Sequence, residues 1–283
     1  MSAEPCLSSP GTSGPSEGLS EVRLQNIVAK LAAEAPDVVL LQEVALGPLP
    51  DLLRDALTGI GLGYFVFSGD PSSAEKRYGN VIASRWPVAL TPVGWASGAP
   101  WPQLLASATV ESPFGAVDFF AAHIPNGSAN GWRKIYTFEA LAGGLGGAPE
   151  RPRVVGGDFN EPKYVRATGE IVPFGGVEKP NQPVRWDGTR CHPKCKNTHP
   201  RARWRDGVLS VLNTDAKHGL RHAWLDRHGY VEMTTFSTRK SARFFDHILV
   251  SKHFAIIDAG YHLDWNISTL SDHAAAWARV ELR

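Results

Sequence analysis

Cysteine is scarce in this sequence, an excess of either charge is missing, and no long apolar run interrupts it. The chain of 283 residues holds three cysteines, Cys6, Cys191 and Cys195. So sparse and odd a set excludes a disulfide framework and points to a reducing compartment. The formal net charge is +1, so no global field draws the chain toward nucleic acid or membrane. Any grip on a polyanion has to come from a local patch. The first residues carry neither a basic n-region nor an apolar h-region, and no stretch is long enough to span a bilayer. A cytoplasmic monomer with no membrane partner is expected. What is present is ordinary for a soluble chain with a sizeable core: 43% apolar and 20% charged residues.

Residues 1–18, rich in Ser, Pro and Gly, have little to bury and read as disordered. Residues 19–283 read as one domain. Leu24, Ile27, Val28 and Leu31 share a helical face that ends near Pro36, and the strand Val38–Leu41 follows. Leu49, Leu52, Leu53, Ala56, Leu57 and Ile60 give a second helix, stopped by Gly59 and Gly61. Strand-like runs follow at Tyr64–Phe67, Asn80–Ser84, Val88–Val93, Leu104–Val110 and Val117–Ala122. Trp132, Ile135, Tyr136, Leu141 and Leu145 mark a third helix. Residues 163–205 form a polar, basic, irregular insertion, a length that inside a compact domain signals function or mobility. Regular structure is expected again at Leu209–Leu212 and in a short helix near 217–226.

The stretch with chemical content is Arg153-Val-Val-Gly-Gly-Asp-Phe-Asn160. A buried strand breaks at paired glycines and delivers a carboxylate, Asp158, and a carboxamide, Asn160. Alone, such residues make a turn. They are accompanied by Val38-Val-Leu-Leu-Gln-Glu43, Ala122-His-Ile-Pro-Asn-Gly127, Phe244-Phe-Asp-His-Ile-Leu-Val-Ser251 and Leu270-Ser-Asp-His273. In that order these motifs resemble the endonuclease/exonuclease/phosphatase family of metal-dependent phosphoesterases, over about residues 20 to 283. The resemblance implies an α/β fold, a four-layered α/β sandwich with two stacked mixed β-sheets flanked by helices. It differs in one respect: nothing before Glu21 reads as the family's first strand, so either the start is misplaced or this variant does without it.

The resemblance also assigns roles. Glu43, a carboxylate ending a buried strand, becomes the main Mg²⁺ ligand, with Mn²⁺ as a substitute, and Asp272 the second metal contact. Asp158 activates the attacking water and Asn160 holds water or phosphate. Asp246 fixes the tautomer of His273, and His273 and His123 face the phosphoryl oxygens. Asn80, in Tyr78-Gly-Asn-Val-Ile-Ala-Ser-Arg85, helps shape the site. Asn126, Arg203 and Trp204 complete the candidate substrate contacts, the last two because basic and aromatic side chains interleave from Arg185 to Arg205. Cys191, His192, Cys195 and His199 lie close enough to ligate Zn²⁺, but their spacing is not that of a standard finger. A solvated loop with incidental thiols is the default there. The leading expectation is a Mg²⁺-dependent phosphodiesterase, a nuclease on DNA or RNA. The alternatives are a phosphomonoesterase or phospholipid-type diesterase on a small phosphorylated molecule, and a non-catalytic binding module.

Overall fold

The computed structural model describes residues 21–73, 77–91, 98–148, 150–174, 201–213, 216–238, 241–266 and 270–283. The expected disorder at 1–18 and the Cys191–His199 loop lie outside them. In chain order, helix α1 (Glu21–Glu34) leads into strand β1 (Val38–Ala45), helix α2 (Leu49–Gly59) and strands β2 (Tyr64–Phe67), β3 (Tyr78–Ser84) and β4 (Val88–Leu90). The hairpin of β5 (Leu105–Ser112) and β6 (Gly115–His123) precedes α3 (Gly127–Gly147) and β7 (Arg153–Asp158). Short strands β8 (Tyr164–Val165) and β9 (Ile171–Val172) are followed by α4 (Arg201–Leu212), β10 (Arg221–His222) and α5 (Ala223–His228). The chain ends in β11 (Phe236–Thr238), β12 (Ser241–Arg243), β13 (Asp246–Val250), β14 (Phe254–His262) and β15 (Ala275–Leu282).

These elements make the expected α/β sandwich. One large sheet has the order β1-β3-β2 and the second β10-β13-β7-β6-β5-β4, and β8-β9, β11-β12 and β14-β15 form two-stranded sheets beside them. Side chains alternate between faces along a strand, so each strand is read by parity. On β3, Val81 and Ala83 join Leu24, Leu31, Leu53 and Leu57 of α1 and α2, whereas Ile82 turns inward against Ala106, Ala108 and Ala121 of the second sheet. On β6, Phe120 and Ala122 face outward to Phe138 and Leu141 of α3 and Val208 and Val211 of α4. Helices, sheet, sheet and helices thus stack in that order. Alanines at the sheet–sheet interface let the two sheets close on one another. Among the described residues β1 pairs only with β3, and the segment where a preceding strand would fall is outside them.

Two expectations are corrected. Helix α4 begins at Arg201, well before Leu209, because Trp204, Val208, Val211 and Leu212 share one face that packs against the second core. The polar residues between them and Gly207 hide that period. The helix expected near 217–226 begins at Ala223, after the short strand β10. His222 caps it by accepting a hydrogen bond from the Leu225 N–H.

The paired glycines of β7 have distinct steric reasons. Gly157 has a φ of +143°, and a Cβ there would collide with the Ala122 carbonyl oxygen. A Cβ on Gly156 would crowd the Leu40 Cδ1, at 2.9 Å across the sheet interface, and meet the His247 carbonyl oxygen and Ile248 at ordinary contact distances of 3.6 and 3.7 Å. Backbone cannot move aside as a leucine rotamer can. Gly157→Ala is therefore expected to destabilise by roughly 3 kcal/mol or more and Gly156→Ala by about 1 kcal/mol. Urea denaturation midpoints check the order, and equal losses would contradict it.

Candidate active site

Strand pairing places three of the expected residues in one row. His123 stands opposite Asp158 in the parallel pairing of β6 and β7, and Asp246 stands opposite Asp158 in the antiparallel pairing of β13 and β7. Paired residues project from the same face of a sheet. Here that face is turned toward the other sheet, because Gly156, on the same side as Asp158, abuts Leu40 of β1. His123 and Asp158 end their strands and Asp246 begins its own, so the row lies at one edge of the sandwich.

Glu43 reaches the row from the opposite sheet. Between Leu41 and Val44 strand β1 carries one residue more than β3, a bulge, and Glu43 within it has a φ of +59°. Bulges re-aim side chains next to functional sites. The His123 Nε2 lies 3.6 Å from Glu43 Oε1 and 3.8 Å from Asp158 Oδ2. Tyr78 stacks on the His123 ring with centroids 5.7 Å apart.

His273 closes the other end. Its Nδ1 lies 2.9 and 3.1 Å from the two Asp246 carboxylate oxygens, so Nδ1–H donates and Nε2 is left for a substrate oxygen. Asp158, Asp246 and His273 present ligand atoms within 4.8 Å of one another. Asn160 has a φ of +50°. Its backbone N–H donates to Asp158 Oδ1 at 2.7 Å, and its Nδ2 donates to Asp158 Oδ2 at 2.9 Å and to the Ile124 carbonyl at 3.0 Å. Both protons of Nδ2 are therefore engaged, and Oδ1 is the group left to act, as an acceptor.

Crowding of carboxylates sets the protonation states. Burial, followed by the charge of Asp246, pushes Asp158 up to about 8, against the opposing pull of His273, the Asn160 N–H and Lys134. Burial alone would lower His273, but the hydrogen bond to Asp246 and the charges of Asp246, Asp158 and Asp272 outweigh it and raise it to about 9. Tyr78 is pushed up to about 12 by burial and by the charges of Glu43 and Asp158. Each shift reports the same excess of negative charge in a place with little water.

The remaining expected residues lie as follows. Asp272 is exposed beside His273 and acts on it through its charge. Asn126 is exposed just before α3. Asn80 is fully buried on the face of β3 turned toward the second sheet: its Nδ2 donates to the carbonyls of Leu104, at 2.5 Å, and Ala121, at 3.0 Å, and its Oδ1 has no hydrogen-bond partner among the described residues. It shapes the site by clamping one sheet to the other, because it stands where β3 passes the bulge. Arg203 and Trp204 are engaged within the fold. Arg203 pairs with both oxygens of Glu139 at 2.5 and 2.7 Å, and the Trp204 Nε1 donates to buried Glu161 at 2.7 Å.

Sequence reasoning missed Tyr78 and the polar structure behind Asn160. There Lys134 pairs with Glu161 at 3.2 Å, and two imidazoles run in series. The His222 Nδ1 accepts from Leu225 N–H, so its proton sits on Nε2 and is donated to the His247 Nδ1 at 2.7 Å. The His247 Nε2–H then donates to the Glu161 carbonyl at 2.8 Å. The one available signal was parity: His247, next to Asp246, had to face the opposite side of β13.

The model of the Endonuclease/Exonuclease/phosphatase family matches residues 13–273. No curated protein sequence is significantly similar to this chain. Similar solved structures include an AP endonuclease from Archaeoglobus fulgidus, at 19% identity over 92% of this chain and 95% of that one, with a TM-score of 0.62. Another is ANGEL2, a 2',3'-cyclic phosphatase, at 15% identity over 92% and 86%, with a TM-score of 0.58. A third is an endonuclease/exonuclease/phosphatase from Beutenbergia cavernae DSM 12333, at 20% identity, 92% and 66%, and a TM-score of 0.54. This chain spans about two thirds of that protein's length. At such identities the structural likeness speaks for the fold.

The histidine relay gives a pH dependence of stability. Burial lowers His247 to about 4 and holds His222 well below its ordinary value. The unfolded chain therefore takes up the protons first. The relay's own contribution to stability is full above about pH 6.5 and falls as pH drops toward 4, by roughly 3 kcal/mol for His247. Urea titrations across that window are expected to show this loss, and a His222→Asn/His247→Gln variant to show a flatter slope. An unchanged slope would count against the relay being neutral in the fold.

Proposed function

Because this chain belongs to the endonuclease/exonuclease/phosphatase family, whose members are phosphoester hydrolases, we propose that it is a divalent-metal-dependent phosphodiesterase acting on nucleic acid. The observation that carries this reading is the row of His123, Asp158 and Asp246, closed by His273 and faced by Glu43. The donor set fits a hard cation: the Asp158 and Asp246 carboxylates and a His273 nitrogen present ligand atoms within 4.8 Å of one another, where burial and then the charge of Asp246 push Asp158 up to about 8. Glu43 and Asp272 would hold Mg²⁺ or Mn²⁺, with Asp158 and Asp246 alongside. Such an ion, when bound, stabilises negative charge developing on the phosphoryl group.

The chain's own residues do the rest. Asp158 accepts the proton of the attacking water, and the Asn160 Oδ1 accepts a second hydrogen bond from that water and fixes its approach. Its Nδ2 donates to the Ile124 carbonyl and to Asp158, which supports the water over the phosphate as the partner of Oδ1. His273, cationic because of Asp246, donates from Nε2 to a phosphoryl oxygen. His123 donates from the other side, with Tyr78 backing its ring.

Support for a nucleic-acid substrate comes from the hairpin that follows the catalytic turn. Lys163 lies over the ring of half-exposed Tyr164 at 5.7 Å, and Arg166, paired with Glu170 at 3.1 Å, stands at the hairpin's tip. Cation and aromatic surface side by side suit a phosphodiester backbone and its bases.

The test is hydrolysis of fluorescent single- and double-stranded DNA, RNA and a small phosphodiester, with Mg²⁺ and with chelator. Wild-type cleavage is expected to vanish on metal removal, and Asp158→Ala to lower kcat by roughly 10²–10⁴-fold. Binding to DNA or RNA should weaken steeply with salt. Cleavage of the small diester alone would move the substrate to a small phosphorylated molecule. A folded protein that cleaves nothing, or whose activity survives Asp158→Ala, would sink the hydrolytic reading.

A further inference from the structure

The scheme above leaves one buried ion pair without a task. Lys134 of α3 and Glu161, the residue after Asn160, are 1% and 0% exposed. The Lys134 Nζ donates to the Asn160 carbonyl at 2.6 Å and to Glu161 Oε1 at 3.2 Å. Glu161 Oε1 also accepts from the Trp204 Nε1 at 2.7 Å, and Oε2 accepts from the Phe174 N–H at 3.0 Å. The ammonium lies 5.4 Å from the ring centre of Trp204 and 5.8 Å from that of Phe174.

Stability does not explain such a pair. Desolvating two charges costs about what their attraction returns, and an apolar pair of the same shape would hold α3 and α4 together as well. What an apolar pair cannot do is hold a carbonyl oxygen. Asn160 sits at a φ of +50°, a left-handed conformation that asparagine adopts more readily than most residues but that still has to be held against the extended alternative. Its N–H and side chain are tied to Asp158 and to the Ile124 carbonyl. Its carbonyl, on the far side of the strained residue, is tied to Lys134. The next carbonyl, of Glu161, is tied to His247.

We infer that Lys134 is a positioning residue for phosphoester hydrolysis: by gripping the Asn160 carbonyl it holds the left-handed turn that aims the Asn160 carboxamide at the attacking water. Glu161 is its counter-charge, aligning the ammonium and sparing the fold an unpaired buried cation. The inference rests on the hydrolytic reading for its consequence, while its structural content can be measured without any substrate.

The variants are Lys134→Met, and Lys134→Met/Glu161→Gln in case the lone buried carboxylate prevents folding. In ¹⁵N-labelled protein the Asn160 carboxamide protons, identified by their loss in Asn160→Asp, are slow to exchange in the wild type because both are hydrogen-bonded. Exchange at least about tenfold faster is expected in either Lys134 variant. Unchanged exchange in a folded variant overturns the inference. With the substrate found above, kcat is expected to fall roughly 10- to 100-fold with KM held within about threefold. In an Asn160→Ala background the same substitution is expected to cost nothing further, because it acts through Asn160. An equal loss in both backgrounds, or none in either, overturns the inference. If the wild type cleaves no substrate, the hydrolytic reading fails, and the exchange measurement still decides whether Lys134 holds Asn160.

Discussion

The contact that the rest of the structure depends on is the approach of the β7 backbone to β6 at Gly157. With no Cβ to meet the Ala122 carbonyl, the chain can turn at a φ of +143° and still stay paired on both sides. Asp158 then falls between His123 and Asp246 in register. The pairing continues past the strand's end, with Ile124 N–H donating to the Asp158 carbonyl at 2.8 Å and Phe159 N–H to the Phe245 carbonyl at 2.9 Å. The position of the row is thus set by backbone hydrogen bonds, which are stiffer than any side-chain contact. Phe159, fully buried against Phe138, locks the next residue into the outer core. The placing of the Asp158 and Asn160 side chains and the packing of Phe159 are one constraint seen from two faces.

That geometry carries an electrostatic cost. Setting Asp158 directly beside Asp246 in a buried row raises one carboxyl and drives His273 to its charged form. The protein answers with charge from two directions: His273 at one end and Lys134 behind the turn. His123 stands between Glu43 and Asp158, its Nε2 3.6 and 3.8 Å from their carboxylates, while Asp158 and Asp246 face one another in register. Carboxylate oxygens gathered in this way are the ordinary setting of a hard cation.

Much of the site could be read in the sequence because strand ends betray themselves. Glycine pairs, a carboxylate after a run of apolar residues and a histidine two residues before a proline are local signals, and Glu43, His123, Asp158 and Asp246 each carry one, whereas His273 is legible only through the order of the motifs. The layers could be read for the same reason, since the periods of α1, α2 and α3 are clean. What could not be read was long-range pairing. Lys134 follows Arg133 and looks like part of a solvated helix face, until α4 packs over it. Arg203 and Trp204 looked like a surface grip because their partners, Glu139 and Glu161, lie far away in sequence. Asn80 looked like a ligand to substrate because its role as a clamp requires knowing that the second sheet passes over it.

Two strained residues bear on whether this scaffold is catalytic or only binds. Glu43 and Asn160 both take positive φ values without being glycine, a conformation that costs of order 1–3 kcal/mol apiece. They sit on opposite sheets, so no single accident of folding explains both, and each delivers a polar group to the same edge of the sandwich. Glycine at either position would relieve the strain and leave the cores untouched. A module that only binds phosphate gains little from a carboxylate forced forward beside two others, since like charges repel the ligand as well. A site that must hold a cation and a water in line needs those acceptors where they are. Strain of this kind, paired with buried charge, argues for chemistry over passive binding.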